Sequence, residues 1–463
     1  MIVMALTHSL KGVDVRFLLW PLLLLLLIGF VSALYMVSLG RTYKVSRVFF
    51  IRSGAFRALA LLASLAVFIV PAIQIDNKYG IVDFLFSDNS YHSYIEDNIS
   101  LPDPDAALFS GPRNNLILII LESAESGVND PARFKPILMP NLKKIQDDNV
   151  TFSDYYQTPG TAGNSYMGFY SLCLGMPYLL SRGAFNNADD AAAAQPSGQK
   201  RQEPGTQDNA LGERDAASLS ILGMLEKNGY SIEVFRCASI RFSSYLTQLN
   251  MTTVDARIFD YDYFRNTRDD YEGRTNSWGV NDSYIYERIR EYLSNRDETA
   301  PFALLVQTVN THSPGFYEPD MPRRWNDMRD SFVQVDILTA GFVEWVRNQE
   351  FGKNTTIVII GDHLIGPEYV GGIGLAPMDT RSVYNVFINS QATPATQRKR
   401  LFAMWDFAPT ILESVGATLP RRRFGLGTSL FADQATLLER DGKRRYGNMI
   451  KKRSRLYEHY YRW

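Results

Sequence analysis

At 463 residues, 46% hydrophobic and 13% aromatic, the chain can bury a sizeable core and carries more than one structural unit, which excludes a disordered protein. Its 48 basic and 49 acidic residues leave a formal net charge of -1, so nothing in the balance marks a nucleic-acid partner.

Residues 17–40 are uncharged over a length that crosses a bilayer core of about 30 Å and predict a transmembrane helix. A cleaved signal is the alternative, but the run is too long for one and a second uncharged run follows at 58–75. That second run predicts another transmembrane helix; because it is short, Ala-rich and closes on Pro71 and Gln74, a buried or interfacial helix is its alternative. The connector holds Arg41, Lys44, Arg47, Arg52 and Arg57, against Lys11, Arg16 and Asp14 before the first run. Basic loops stay in the cytoplasm, so residues 1–75 read as an inner-membrane anchor with everything after about residue 76 on the periplasmic side.

Residues 76–113, with Pro102, Pro104 and Pro112, read as a juxtamembrane linker. The core domain, 114–435, alternates strand 115–121, helix 136–148, strand 150–154, helices 165–175 and 218–228, strand 230–236, helix 282–293, strand 302–309, helix 328–349 and strand 355–360. That rhythm predicts an α/β fold with a largely parallel central sheet flanked by helices. Residues 184–216, rich in Ala, Gln, Asp, Gly and Pro, break it and read as a mobile insertion, with a polyalanine-seeded helix as the alternative. The tail 436–463 is basic and aromatic: it either meets anionic lipid head groups or is a solvated or domain-packed end. Cys173 and Cys237 are either a disulfide, which an oxidising compartment permits, or two buried thiols.

Three of the apolar runs end in residues of metal-site type. NNLILIILE closes on Glu122, TTIVIIGDH on Asp362 and His363, and FALLVQTVNTH on His312. Strands buried on both faces deliver ligands beyond their carboxyl ends, so distant residues can meet at one sheet edge. Glu122 alone could be a helix cap, but adjacent Asp362 and His363 suit Zn²⁺ or Mn²⁺. In YYQTPGTAGNSYMG a Pro/Gly-rich turn brings Ser165 to the first turn of a helix, where free N–H groups favour a phosphoryl anion. Ser165 is therefore a candidate nucleophile, with the plain N-cap role as its alternative.

The segments ILESAES, QTPGTAGNSYMG, NTHSP, KNTTIVIIGDHL, WDFAPTILESVGATLP and GLGTSL stand in the order of the alkaline phosphatase/sulfatase superfamily. More narrowly, the chain resembles its membrane-anchored phosphoglycerol transferases, of the lipoteichoic acid synthase and periplasmic-glucan types, from about residue 114 to 430. The resemblance implies one divalent metal ion, Mn²⁺ first with Mg²⁺ or Zn²⁺ as alternatives, held by Glu122, Ser165, Asp362 and His363, with Ser165 also the nucleophile. It implies that His312 contacts the substrate phosphate or leaving group, that Arg241 in ASIRFSSY binds the head group, and that Trp278 in NSWGVND shapes the pocket. A solvent-facing Arg241 and a core Trp278 are the alternatives. The chain departs from those transferases in using Ser rather than Thr and in having two rather than more membrane helices. The formylglycine-dependent sulfatases are disfavoured, since Met167 and Phe169 stand where their motif needs Pro and Arg.

The implied reaction moves phosphoglycerol from a phospholipid donor, phosphatidylglycerol-like, to a glycan or lipid-glycan acceptor through a phosphoserine. Phosphoethanolamine transfer, a plain phosphodiesterase and a silent envelope sensor are the competing readings.

Overall fold

The apolar run Asn115–Leu121 forms strand β1 at the centre of a six-stranded sheet. Its side chains alternate between two cores: Leu116, Leu118 and Ile120 face one, Ile117, Ile119 and Leu121 the other. A strand buried on both faces needs apolar residues at every position, which is why the run lacks the polar alternation of a half-exposed strand. Burying side chains of this size contributes roughly 1.5–3 kcal/mol each.

The computed structural model describes residues 90–460, apart from 102–106, 158–163, 180–218, 243–254, 297–298, 319, 326, 367–373, 378–379 and 395–398, together with 43–44, 50–51 and 62. Contacts divide the chain at Asp88. In the first unit Tyr43–Lys44 pairs antiparallel with Phe50–Ile51. The apolar runs 17–40 and 58–75 lie outside the described residues save Leu62, as does the insertion 184–216. Among the described residues no helix is long and apolar enough to cross a membrane.

The second unit carries the sheet. Its other strands are β2 (Ser231–Arg236), β3 (Ala256–Phe259), β4 (Phe302–Gln307), β5 (Thr355–Gly361) and β6 (Asn385–Ile388). Their spatial order is β3-β2-β4-β1-β5-β6, parallel throughout except for β6, which runs antiparallel to β5. Helices α1 (Pro140–Asp148), α4 (Asp282–Ser294) and α5 (Met328–Arg347) cover one face. The other is covered by α2 (Ser165–Leu174), α3 (Ile221–Lys227), α6 (Phe407–Ser414) and α7 (Leu437–Met449). The predicted α/β class therefore holds, as a three-layer sandwich.

Several expected elements differ. Strand 150–154 shrinks to Asp154–Tyr155, which leaves the main sheet and pairs with Leu401–Phe402. The first expected helix starts at Pro140 rather than residue 136, since proline's fixed φ suits the first helical position. Strands β3 and β6 were absent from the expected set because four-residue runs give little periodicity to read.

The segment expected as a linker packs, from residue 90, on the C-terminal tail: Tyr94 donates to Asp441 at 2.6 Å, and Arg453 bridges Tyr91. Over its described residues the tail is domain-packed. Tyr446 accepts a hydrogen bond from Trp405 Nε1 at 2.7 Å, and Tyr457 donates to the Pro177 carbonyl at 2.7 Å. Cys173 and Cys237 are buried free thiols belonging to the cores on opposite faces of the sheet, so the disulfide alternative fails on geometry.

Candidate metal centre

The carboxyl ends of β1 and β5 lie side by side, with Leu121 in register with Gly361. The next residues along each strand are Glu122 and Asp362, so parallel pairing alone brings the two acids to one place. Glu122, Asp362 and His363 present ligand atoms that all lie within 4.8 Å of one another. Ser165 joins them: its hydroxyl donates to Glu122 Oε2 at 2.7 Å and lies 3.3 Å from His363 Nε2.

Ser165 is free for this because Asn164 does the capping. The Asn164 side chain accepts from the Met167 amide at 3.1 Å, leaving Ser165 as the first helical residue of α2. The plain N-cap alternative for Ser165 is thus excluded. Helix α2 sits hard against the ligand loop, and Gly168 is what allows it: a Cβ there would fall 2.2 Å from the Asp362 carbonyl oxygen.

The backbone around Glu122 is strained and tied. Ser123 adopts a left-handed φ of 51°. That turn aims its amide at Asp362 Oδ1 (2.8 Å) and its hydroxyl at Glu122 Oε1 (2.8 Å). His363 Nδ1 lies 2.8 Å from the Leu364 carbonyl, which makes Nδ1 the protonated nitrogen and turns Nε2 toward the acids. Nε2 lies 3.4 Å from Glu122 and 3.7 Å from Asp362.

Burial pushes the Asp362 carboxyl up to about 7, and the neighbouring Glu122 charge adds to the rise. Burial acts the same way on Glu122, but the His363 hydrogen bond and the charges of His312 and His363 outweigh it and hold Glu122 well below the usual carboxylate range. Burial opposes charge on His363, yet the Asp362 and Glu122 carboxylates win and push it up to about 10. The paired acids thus favour a positive charge beside them, which the His363 imidazolium supplies. Asp362 Oδ2 is buried with no hydrogen-bond partner, which is the mark of an acceptor reserved for something else. Two carboxylates, one imidazole and one hydroxyl with an orphaned oxygen fit a divalent cation.

The cluster opens on a cavity of about 260 Å³ whose wall includes Glu122, Ser165, Arg236, Phe242, Trp278 and His312. His312 Nδ1 lies 2.9 Å from the Ser313 carbonyl, so its Nε2 is the nitrogen left for chemistry. Trp278 packs on that ring with centroids 4.4 Å apart, so it is a wall of the site rather than core alone.

Arg241 departs from expectation. It is exposed, and it is not among the residues lining the cavity; the arginine that lines it is Arg236, 5% exposed, at the end of β2. The physical reason is position. Arg236 is the last strand residue, paired in register with Gln307, whereas Arg241 has passed beyond the edge into a turn. The signal for Arg236 was present, since SIEVFR is a buried strand ending in a polar residue, the same rule that picks out Glu122. Sequence reading also missed Glu125 and Arg381, a fully buried pair 3.2 Å apart. Arg381 also donates to the Ile365 carbonyl, stapling the two ligand loops together.

The Sulfatase family model matches residues 114–417. The chain belongs to the Sulfatase family. Phosphoglycerol transferase I of Xanthomonas campestris is 24% identical over 336 residues, 70% of this chain and 43% of that protein. Phosphoglycerol transferase I of Escherichia coli strain 55989 is 24% identical over 354 residues, 74% of this chain and 41% of that protein. The chain spans less than half the length of these curated relatives. A crystal structure of a protein in the alkaline phosphatase superfamily from Vibrio parahaemolyticus aligns with a TM-score of 0.54 at 20% identity, covering 76% of this chain and 77% of that one. At that identity the likeness speaks for the fold, which this Sulfatase family member shares.

Proposed function

We propose that this protein is a divalent-metal-dependent transferase that moves a phosphoglycerol group from a phosphatidylglycerol-like phospholipid to a glycan or lipid-glycan hydroxyl, through a phosphoserine at Ser165. The observation that carries this reading is Ser165 Oγ at the start of a ten-residue helix, hydrogen-bonded to Glu122 and facing a cavity that also holds His312 and Arg236. The names of the curated relatives support the choice of transferred group.

Glu122, Ser165, Asp362 and His363 would hold the ion, to which we assign Mn²⁺ ahead of Mg²⁺ or Zn²⁺. When bound it neutralises phosphoryl charge and lowers the pKa of the serine hydroxyl. The chain's own groups do the rest. Ser165 Oγ attacks phosphorus as the bond to diacylglycerol breaks, its proton having passed to solvent, since Glu122 is held too acidic to keep it. His312 Nε2 gives a proton to the departing oxygen. In the second half the acceptor hydroxyl passes its proton to His312 and attacks phosphorus, and the serine oxygen leaves with its own proton restored. Arg236 holds the phosphodiester oxygens by charge-assisted hydrogen bonds, the role expected of Arg241, and Trp278 keeps the His312 ring in place.

The two apolar runs at 17–40 and 58–75 would anchor the chain in the inner membrane with residues 114–435 on the periplasmic side. A tether of this kind keeps the domain beside a donor that never leaves the bilayer and raises its effective concentration.

The test is diacylglycerol release from labelled phosphatidylglycerol vesicles with Mn²⁺, comparing the full chain with Ser165→Ala. Wild-type release by the variant removes Ser165 as nucleophile. Release from phosphatidylethanolamine vesicles instead reassigns the group to phosphoethanolamine, and release that no glycan accelerates points to a phosphodiesterase.

A further inference from the structure

We infer that Asp282 is a positioning residue for the transfer: it fixes the loop Thr308–His312 so that His312 faces Ser165 and the Glu122 peptide stays in place. This rests on the acid–base reading of His312 given above.

Asp282 opens helix α4, and an acid in a first helical turn ordinarily serves its own helix. Here it does not. Asp282 is fully buried, and its Oδ1 accepts from the Val309 amide (2.8 Å), the Asn310 amide (3.2 Å) and the Cys237 thiol (3.3 Å), all from β2 and β4 extensions. The helix's own first amides are served in exchange by the other side. The Asp282 amide donates to Asn310 Oδ1 at 3.4 Å and the Ser283 amide to Glu318 at 3.0 Å.

Asn310 is the centre of this exchange and is fully buried. Its Nδ2 donates to Glu318 at 2.7 Å, and its Oδ1 also accepts from Asn276 Nδ2 at 3.3 Å. Asn276 in turn accepts from the Trp278 amide at 2.8 Å, and Trp278 packs on His312. One network therefore holds both the histidine and the ring stacked on it.

The other side of the loop grips the metal-site strand. Thr308 Oγ1 accepts from the Glu122 amide at 3.1 Å, and Thr311 Oγ1 donates to the Glu122 carbonyl. The His312 amide closes the turn on the Val309 carbonyl at 2.9 Å. A loop clamped from below by Asp282 and fastened above to Glu122 has one position for His312. Burial, the chief cause, pushes Asp282 up to about 7, which agrees with a carboxyl placed for its acceptor oxygen rather than for exposure to water.

The test separates this role from general damage by changing the leaving group. An alkyl oxygen needs a proton as it departs and p-nitrophenolate does not, so loss of a placed acid shows on one substrate alone. The full chain with Mn²⁺ is assayed on phosphatidylglycerol vesicles and on the p-nitrophenyl ester of phosphoglycerol by the rate of the first turnover, release of diacylglycerol or p-nitrophenolate as the phosphoserine forms, because resolving that intermediate needs His312 on either substrate. We expect Asp282→Ala and His312→Ala each to lose about 10²-fold on the lipid and little on the aryl ester, and the double variant to lose no more than His312→Ala. Asp282→Asn should restore the lipid-to-aryl ratio, because the bonded Oδ1 is kept and the replaced Oδ2 has no hydrogen-bond partner. Should Asp282→Ala not fold, Asn310→Ala, which cuts the ties to Asn276 and Glu318, is read by the same ratio. Equal losses on both substrates, or additive losses in the double variant, overturn the proposal. If His312→Ala itself falls equally on both, the acid role of His312 fails first and this inference goes with it. Wild-type protein inactive on both substrates sinks the transferase reading instead.

Discussion

Gly168→Ala tests whether the contact between α2 and the ligand loop sets the chemistry. The added Cβ would lie 2.2 Å from the Asp362 carbonyl oxygen, 3.0 Å from its carbonyl carbon and 3.3 Å from its Cα, all backbone atoms that no rotamer change can move. Ordinary contact starts near 3.4 Å, so helix and loop must part by about 1 Å. Alanine is the better helix former by about 1 kcal/mol, whereas overpacking a tight site costs about 1–3 kcal/mol, so net stability should fall by at most about 2 kcal/mol. Activity should suffer far more. Ser165 is three residues upstream on the same helix, 3.3 Å from His363, and a misplacement of about 1 Å costs about 10²-fold in rate. The assay pairs diacylglycerol release with thermal unfolding. Gly341→Ala is the control: it lies within α5 with no atom within 4 Å of a new Cβ, and it should gain about 1 kcal/mol while leaving turnover unchanged. A Gly168→Ala protein that turns over like wild type would refute the claim that this helix-to-loop contact places the nucleophile.

Arg236→Ala should lower kcat/KM about 10- to 100-fold, the worth of a hydrogen bond to a charged group, while Arg241→Ala leaves it unchanged; steady-state kinetics with the donor lipid decide, and the reverse result restores Arg241 to the site. Ser165→Thr should retain the covalent phosphoenzyme, because the hydroxyl is kept while Asn164 still caps the helix; mass spectrometry of the quenched protein checks it. Burial pushes Asp406 up to about 7 against hydrogen bonds from the Thr428 and Ala403 amides. A folded-state pKa above the unfolded value means its stability contribution is full below the ordinary carboxylate range and lost as pH rises through about 7. Urea unfolding between pH 5 and 8 should show stability falling, and Asp406→Asn should flatten that slope by about one proton.

The candidate metal centre was largely legible because each proposed ligand but Ser165 follows a buried strand directly, and parallel register then brings strand ends together without further information. Glu122 and the Asp362–His363 pair needed no knowledge of loops. Ser165 was harder, since its freedom depends on Asn164 taking the cap, a choice between neighbouring polar residues that local sequence leaves open. Arg236 was passed over for Arg241 because one ends the strand and the other comes five positions later, and only the fold decides which one lines the cavity.

Composition and periodicity by themselves determined the α/β class, the parallel sheet and the acids at its edge, since an apolar run buried on both faces has one structural use. Tertiary structure alone decided which arginine lines the cavity, that the two thiols lie on opposite faces of the sheet, and that Asp282 serves a loop 27 residues away rather than its own helix. Those choices rest on hydrogen bonds between elements remote in sequence, where the partner of a buried polar group is set by packing and leaves no pattern along the chain.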